Sequence, residues 1–380
     1  MRRAAPAYSL VRPGYPVSGA RPAKIGAAMT GMVRWRGGCH WVALTSCFDT
    51  VMARGLAGGM PILDAEPRLI ALDWGTTHAR GYLLAAGGLG PVVLDETQGD
   101  GISRVRAGKA DRVAVFDAIL TSMVGAWLRS WPGLPMIACG MVGAAQGWRT
   151  AAYRSLPTDL TRGGGLTVVE SSLGPLSIIA GVKKSVPNAD VMRGEETQLA
   201  GLTAGLTAHR TATIVLPGTH TKWAVVRDGV LLDFDTAMSG ELYELLAEQS
   251  MVGRVAEPAT AGLDWRSGFD WGLELALRAP GALAFQAFVI RSSVLDGQLA
   301  GEAVRDAVSG LLVGQEIATR IAAGNVTAGQ VVLCGAAGLV ARYQRALARI
   351  GVDSMPAGQD ATIRGLWQSA LGAGLLEEEK

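Results

Sequence analysis

Four short runs in this sequence carry residue types suited to chemistry on a phosphorylated ligand. In the first, Asp73-Trp74-Gly75-Thr76-Thr77, a glycine turn joins the apolar run Leu69–Leu72 to a second run, Arg80–Leu84. Glycine lets the backbone approach a ligand closely, and the amides and hydroxyls of Thr76 and Thr77 then line a concave anion site. An ionised Asp73 is acceptor-only, so it repels phosphate unless Mg²⁺ stands between them, usually through water. An ordinary polar hairpin turn uses the same residues. The second run, Pro217-Gly218-Thr219-His220-Thr221-Lys222, offers Gly218 for close approach and Thr219, Thr221 and Lys222 as donors to phosphate oxygens. His220 has a useful pKa range, but a lone histidine between threonines is more often a structural hydrogen-bonder.

The third run, Cys334-Gly335-Ala336-Ala337-Gly338, follows the apolar Val331–Leu333. Its small residues, Gly335 and Gly338 above all, let a flat base and a ribose lie against the backbone. The fourth, Arg193-Gly194-Glu195-Glu196, opens a predicted helix on two acids. The positive end of a helix dipole keeps such a carboxylate ionised and ready to accept a hydrogen bond, although acids at helix starts are also plain caps. Arg193 beside them offers a fork for a ligand carboxylate. A glycine-rich loop from Met141 to Trp148 adds Gly143 and Trp148, with Tyr153 beyond. These aromatics either wall a pocket or fill the core of a connection.

Strands and helices must alternate to hold these runs. Strands are predicted at Leu69–Leu72, Arg80–Leu84, Pro135–Cys139, Ser177–Ala180, Thr213–Leu216, Trp223–Val226, Val230–Phe234 and Gln330–Leu333. Helices are predicted over Val113–Trp131, Glu195–Leu206, Ser239–Gln249, Ala303–Ala322, Leu339–Ile350 and Ile363–Leu376. The order of apolar strand, glycine-threonine turn and second strand occurs at Leu69 and again at Thr213, which suggests two related halves.

Composition narrows the function class. Of 380 residues, 49% are apolar and 18% charged, a globular balance. The 35 Lys and Arg against 33 Asp and Glu leave a formal charge of +2, giving no reason to expect nucleic acid or an anionic membrane as partner. Cys39, Cys47, Cys139 and Cys334 are too far apart for a zinc motif and suit buried thiols in a reducing cytoplasm. Residues 1–65 differ from the rest: the first sixty hold eight Lys or Arg and one acid, Asp49, without helix or strand period. We read them as an N-terminal extension, either disordered or preceding a true start near Met60.

In this order, DWGTT, PGTHTK and CGAAG resemble the phosphate-1, phosphate-2 and adenosine motifs of the actin/hexokinase/heat-shock ATPase superfamily. The resemblance implies an α/β fold of two ribonuclease-H-like, actin-like ATPase lobes with mixed sheets, closing on ATP and a substrate. With residues 1–65 set aside, the lobes are expected over residues 66–207 and 208–380. The superfamily's sugar kinases place their base in a Gly-Asp segment before phosphate-2. Gly194-Glu195 matches that place with Glu for Asp, leaving Glu195 or Glu196 as the acid.

The loop GMVGAAQGW, the segment MRGEETQ, PGTHTKW and GLVARY together are similar to the 2-dehydro-3-deoxygalactonokinase family, from about Arg68 to the C-terminus. That resemblance implies a cytoplasmic enzyme phosphorylating 2-dehydro-3-deoxy-D-galactonate at its terminal hydroxyl with MgATP. By position it implies Asp73 at Mg²⁺; Gly75, Thr76, Thr77, Gly218, Thr219, Thr221 and Lys222 at the phosphates; and Gly335 and Gly338 at adenosine. It also implies Gly143, Trp148 and Arg193 at the substrate. A homo-oligomer is compatible with this reading. Rival readings are a kinase for another sugar acid, such as 2-keto-3-deoxygluconate, and a non-catalytic ATP-binding sensor of the same fold.

Overall fold

The computed structural model describes residues 65–377, apart from 106, 107, 109, 110, 204, 207, 259–261, 263 and 325–329. The expectations for the leader, with Cys39 and Cys47, lie outside the described residues.

The first sheet begins as a meander: β1 (Pro67–Trp74), β2 (His78–Ala85) and β3 (Val92–Asp100), each antiparallel to the next. Helix α1 (Arg112–Ser130) then crosses over to β4 (Met136–Gly140), which pairs parallel to β1. Two short strands, β5 (Tyr153–Ser155) and β6 (Thr158–Asp159), precede β7 (Thr167–Ser171) and β8 (Gly174–Ile178), which complete the sheet in the order β3-β2-β1-β4-β8-β7. Next come β9 (Gly181–Lys184), β10 (Asp190–Met192) and helix α2 (Glu195–Thr203); β10, β9 and β5 make a small third sheet.

The second large sheet repeats the first. Strands β11 (Thr211–Leu216), β12 (Thr221–Arg227) and β13 (Val230–Ala237) form the meander. Asp228 (φ 49°) and Gly229 (φ 78°) both take left-handed backbone in the β12–β13 turn, as a tight two-residue hairpin requires. Helices α3 (Ser239–Glu244), α4 (Trp265–Arg278), α5 (Leu283–Leu295) and α6 (Val304–Ala322) follow. Then β14 (Gln330–Leu333) pairs parallel to β11, and after α7 (Ala337–Arg349), β15 (Ser354–Pro356) pairs parallel to β14. The run β13-β12-β11-β14-β15 therefore has the sense of β3-β2-β1-β4-β8. The mixed sheets and the repeated turn are those expected from sequence.

Strand alternation divides the cores. On β1, Ile70, Leu72 and Trp74 pack with Phe116, Leu120 and Val124 of α1, while Leu69 and Ala71 face the other way. They meet Leu366, Trp367 and Ala370 of α8 (Ala361–Gly372), the last helix, which returns to the first sheet. On β11, Ile214 and Leu216 pack with Leu199 and Ala200 of α2, whereas Val215 packs with Phe269 of α4 and Val313 of α6. The α2–α8 pair crosses closely: a Cβ on Gly365 would lie 1.8 Å from the Thr197 carbonyl oxygen, so only glycine fits. The α4–α6 crossing has the same constraint, at Gly272 against Ala307 and at Gly310 against Phe269.

Strand β6 is the far edge of the second sheet, pairing with β13, although it precedes β7 and β8 of the first. One helix among the described residues, Arg112–Ser130, is long and apolar enough by composition to cross a membrane. Here it supplies Phe116, Leu120, Met123 and Val124 to the first core.

Candidate active site

Each glycine turn caps a pair of strands. Asp73 and Arg80 are directly opposed at the end of the β1–β2 ladder. The turn between them is tied back by three backbone bonds: the Ser103 amide donates to the Thr76 carbonyl at 2.9 Å, the Ile102 amide to the Gly75 carbonyl at 3.2 Å and the Gly101 amide to the Thr77 carbonyl at 3.3 Å. Gly101 permits this, because a Cβ there would sit 2.4 Å from the Thr77 backbone. Thr76 and Thr77 stay exposed. Asp73 is half-buried, and burial raises its carboxyl while Arg80 and the Cys139 thiol partly offset the rise. Cys139 is its neighbour on β4, with Sγ 3.9 Å from Oδ1.

The β11–β12 turn opens into a cavity of about 650 Å³. Gly218, Thr219, Thr221 and Gly338, four residues singled out from sequence, line it together with Ser239, Gly240, Tyr343 and Arg342. Close approach explains Gly240, whose Cβ would fall 2.3 Å from the Gly218 carbonyl oxygen. Gly335 lies beneath this wall, against Pro217. Gly75, Thr76, Thr77 and Asp73 are not among the residues lining the cavity.

Lys222 departs from the sequence reading. Adjacent strand residues point to opposite faces, so Thr221 turns to the cavity side with Trp223 and Lys222 turns away from it. Its ammonium is buried, donating to the Val191 carbonyl at 3.2 Å and to Thr236 Oγ1 at 2.9 Å. It also stands 3.7 Å from Glu195 Oε1. The lysine thus belongs to the acid pair and does not line the nucleotide-sized cavity.

The two acids differ sharply. Glu195 keeps 28% of its side chain exposed and accepts from the Arg193 amide at 3.0 Å. Glu196 is 1% exposed; it accepts from the Gly194 amide at 2.7 Å and from Thr197 Oγ1 at 3.2 Å. Burial, and then the Glu195 charge, push its carboxyl up to about 7 from an ordinary 4.5. A carboxyl with a raised native pKa favours the fold fully below its unfolded value and loses that contribution as pH climbs through the native one. The difference is about 3 kcal/mol between pH 4.5 and 7 and above. Urea unfolding should therefore show stability declining from pH 5 to 8, and Glu196→Gln should flatten that decline. A variant with the parent's slope would remove Glu196 as the cause.

The positive φ of Gly194 (109°) turns the chain into α2, next to Gly140. Just before it, Arg193 donates to the Ala151 carbonyl at 2.9 Å and lays its guanidinium 4.3 Å above the Tyr153 ring. Its Nε and Nη1 are buried without a partner. Gly143 makes the space, since a Cβ there would be 2.9 Å from Arg193 Nη1.

Trp148 does not join this group. Its ring stacks on Phe116 at 5.8 Å and meets Trp74 edge-on, inside the core of the first sheet. The indole is buried there, and its Nε1 has no partner. His220 pairs with Glu241 at 2.6 Å on the exposed side of the turn. Sequence reading missed a buried acid, Glu316 on α6, which accepts from Trp223, Ser239 and Tyr343 behind the cavity. A charged residue inside an otherwise apolar helix stretch was the available signal.

Among the described residues no cluster of three or more His, Cys, Asp or Glu could hold a metal by itself. A single carboxylate such as Asp73 still suits Mg²⁺, which keeps several waters and takes its other ligands from phosphates.

A sequence model of a family described as 2-keto-3-deoxy-galactonokinase matches residues 73–369. The chain is 35% identical over 291 residues to a 2-dehydro-3-deoxygalactonokinase of Escherichia coli K12, covering 75% of this chain and 91% of that one. A crystal structure from Sinorhizobium meliloti, of a candidate 2-dehydro-3-deoxygalactonokinase, is 31% identical and superposes with a TM-score of 0.68. The match spans 82% of this chain and 98% of that one.

Proposed function

The chain belongs to the 2-keto-3-deoxy-galactonokinase family, and from that premise we propose that it transfers the terminal phosphoryl of ATP to the terminal hydroxyl of 2-dehydro-3-deoxy-D-galactonate. One observation supports the acid substrate most directly: Arg193 has two buried nitrogens, Nε and Nη1, with no partner, two residues from Glu195. An unpartnered guanidinium nitrogen is costly unless a ligand supplies an acceptor, and a carboxylate oxygen is such an acceptor. A sugar acid bound there by one end would bring its hydroxyl end toward the acids at the start of α2.

In this reading Glu195 accepts the hydroxyl proton, being the more exposed of the pair. Lys222 fixes its orientation and keeps a positive charge beside it. Glu196 holds the Gly194 amide and so the shape of the helix start. The cavity behind Gly218 and Gly338 takes the nucleotide, with the Gly218–Thr219 backbone near the phosphates. Asp73 would hold Mg²⁺ through water; when bound, the ion screens phosphate charge. We place the reaction in the cytoplasm, and assign the segments before and after about residue 207 to the two sides of the site, with α8 serving the first side.

Release of ADP in a coupled assay across a panel of sugar acids tests the proposal. We expect the highest kcat/KM with 2-dehydro-3-deoxy-D-galactonate. A preference for its C4 epimer would reassign the substrate, and ATP binding without ADP release from any sugar acid would overturn the kinase reading.

A further inference from the structure

The floor of the 650 Å³ cavity is built over a buried acid that no ligand can touch. Glu316, 8% exposed on α6, receives three hydrogen bonds. They come from Trp223 Nε1, from Ser239 Oγ and, at 2.9 Å, from the Tyr343 hydroxyl. Tyr343 is in turn 3.1 Å from Thr221 Oγ1. Ser239, Thr221 and Tyr343 all line the cavity.

These contacts determine where the protons lie. An ionised carboxylate only accepts, so Ser239 and Tyr343 both give their protons to Glu316. Having donated, the Tyr343 oxygen can only accept from Thr221, whose proton then points inward as well. The three hydroxyls of this network have no proton left for the cavity, so on this part of the lining, apart from Arg342, Ser309 and Tyr243, they match a group that donates. Thr221, read from sequence as a phosphate donor, is thereby assigned the opposite polarity.

We propose that Glu316 is a positioning residue that orients these hydroxyls so that the cavity floor, chiefly the half-buried Ser239, selects the ribose hydroxyls of the nucleotide. The inference rests on the nucleotide reading of the cavity and adds which end of the ligand meets which wall. Ribose donors lie at Ser239, and the phosphates lie away from it, toward the Gly218–Thr219 backbone. Burial raises the Glu316 carboxyl, and the hydrogen bonds from Ser239, Trp223 and Tyr343 offset only part of that rise; the geometry of three donors converging on the two oxygens is what carries the proposal.

Steady-state kinetics with ATP, 2′-deoxyATP and 3′-deoxyATP test this on the full chain. The parent should lose about fivefold or more in kcat/KM with at least one deoxynucleotide, the worth of one hydrogen bond. Glu316→Gln introduces an amide donor that forces one hydroxyl to turn outward. It should shrink that preference to within about twofold and raise KM for ATP, leaving kcat and the sugar-acid KM nearly unchanged. A variant that keeps the parent's preference, or a parent without one, overturns the proposal. Should Glu316→Gln fail to fold, Ser239→Ala decides: it must also lose the preference. Calorimetric binding of ADP and 2′- and 3′-deoxyADP reads the same selectivity without turnover. A chain that discriminates among these yet phosphorylates no sugar acid would refute the kinase reading and keep this one.

Discussion

Glu195→Gln should lower kcat by about a hundredfold to ten-thousandfold, the usual range for removing a positioned base. The residue stands in the first turn of α2, with one oxygen held by the Arg193 amide at 3.0 Å and the other 3.7 Å from Lys222. Glutamine preserves the shape and can still accept from the Arg193 amide, but it cannot take up a proton. The loss corresponds to about 3–5 kcal/mol of transition-state stabilisation. Stability should change little, because Lys222 keeps its bonds to the Val191 carbonyl and Thr236. The effect should appear in kcat, with KM for ATP nearly constant. Glu196→Gln is the control. If it abolishes turnover while Glu195→Gln retains it, the two acids exchange roles; if both retain it, neither is the base.

How much of this was legible in the sequence depended on how local each cause is. The strand–turn–strand units at Asp73 and Gly218 were readable because glycine and threonine act on their own few residues. Their order along the chain carried the fold, and the second sheet does repeat the first. The acid pair was also placed correctly at a helix start, but which acid is exposed depends on what packs over it. Glu196 points into the region of Cys139 and Arg154, far away in sequence. Lys222 was readable as a cation, yet its direction follows from strand register: Lys222 lies opposite Leu216 on one side and Thr236 on the other.

Two helices escaped detection for opposite reasons. Helix α4 contains Gly268 and Gly272, which look like breakers in sequence but are needed where α6 crosses. Helix α5 is apolar on nearly every side, with Phe285 and Phe288 exposed and Ile290 buried, so no polar stripe marks its period. Trp148 shows the same limit in one residue. An aromatic in a glycine-rich loop reads equally as pocket wall or core, and only the positions of Phe116 and Trp74, 32 and 74 residues upstream, settle it. The Glu316 network joins residues 223, 239, 316 and 343, a spacing with no sequence period at all.

Asp73→Asn should lower turnover by about a thousandfold, equivalent to about 4 kcal/mol, while the protein stays folded. The residue sits at the end of β1, half-buried, with Arg80 opposite and the Cys139 thiol beside it. Burial raises its carboxyl, so the ionised form is held at some cost to the fold. Removing that charge should therefore leave stability unchanged or slightly higher where the aspartate is ionised, opposite to the loss expected for a structural ion pair. Unchanged stability with lost activity is the signature of a group kept for its ligand. The variant should also need a higher Mg²⁺ concentration for half-maximal rate, because asparagine retains one neutral oxygen where the aspartate offers a charge. Arg80→Ala separates a metal role from a merely electrostatic one. If Asp73 served only to balance Arg80, the arginine variant would lose as much turnover as Asp73→Asn and show the parent's Mg²⁺ dependence. Parent-like turnover in Asp73→Asn itself would remove the residue from the reaction and leave the β1–β2 turn as a structural hairpin.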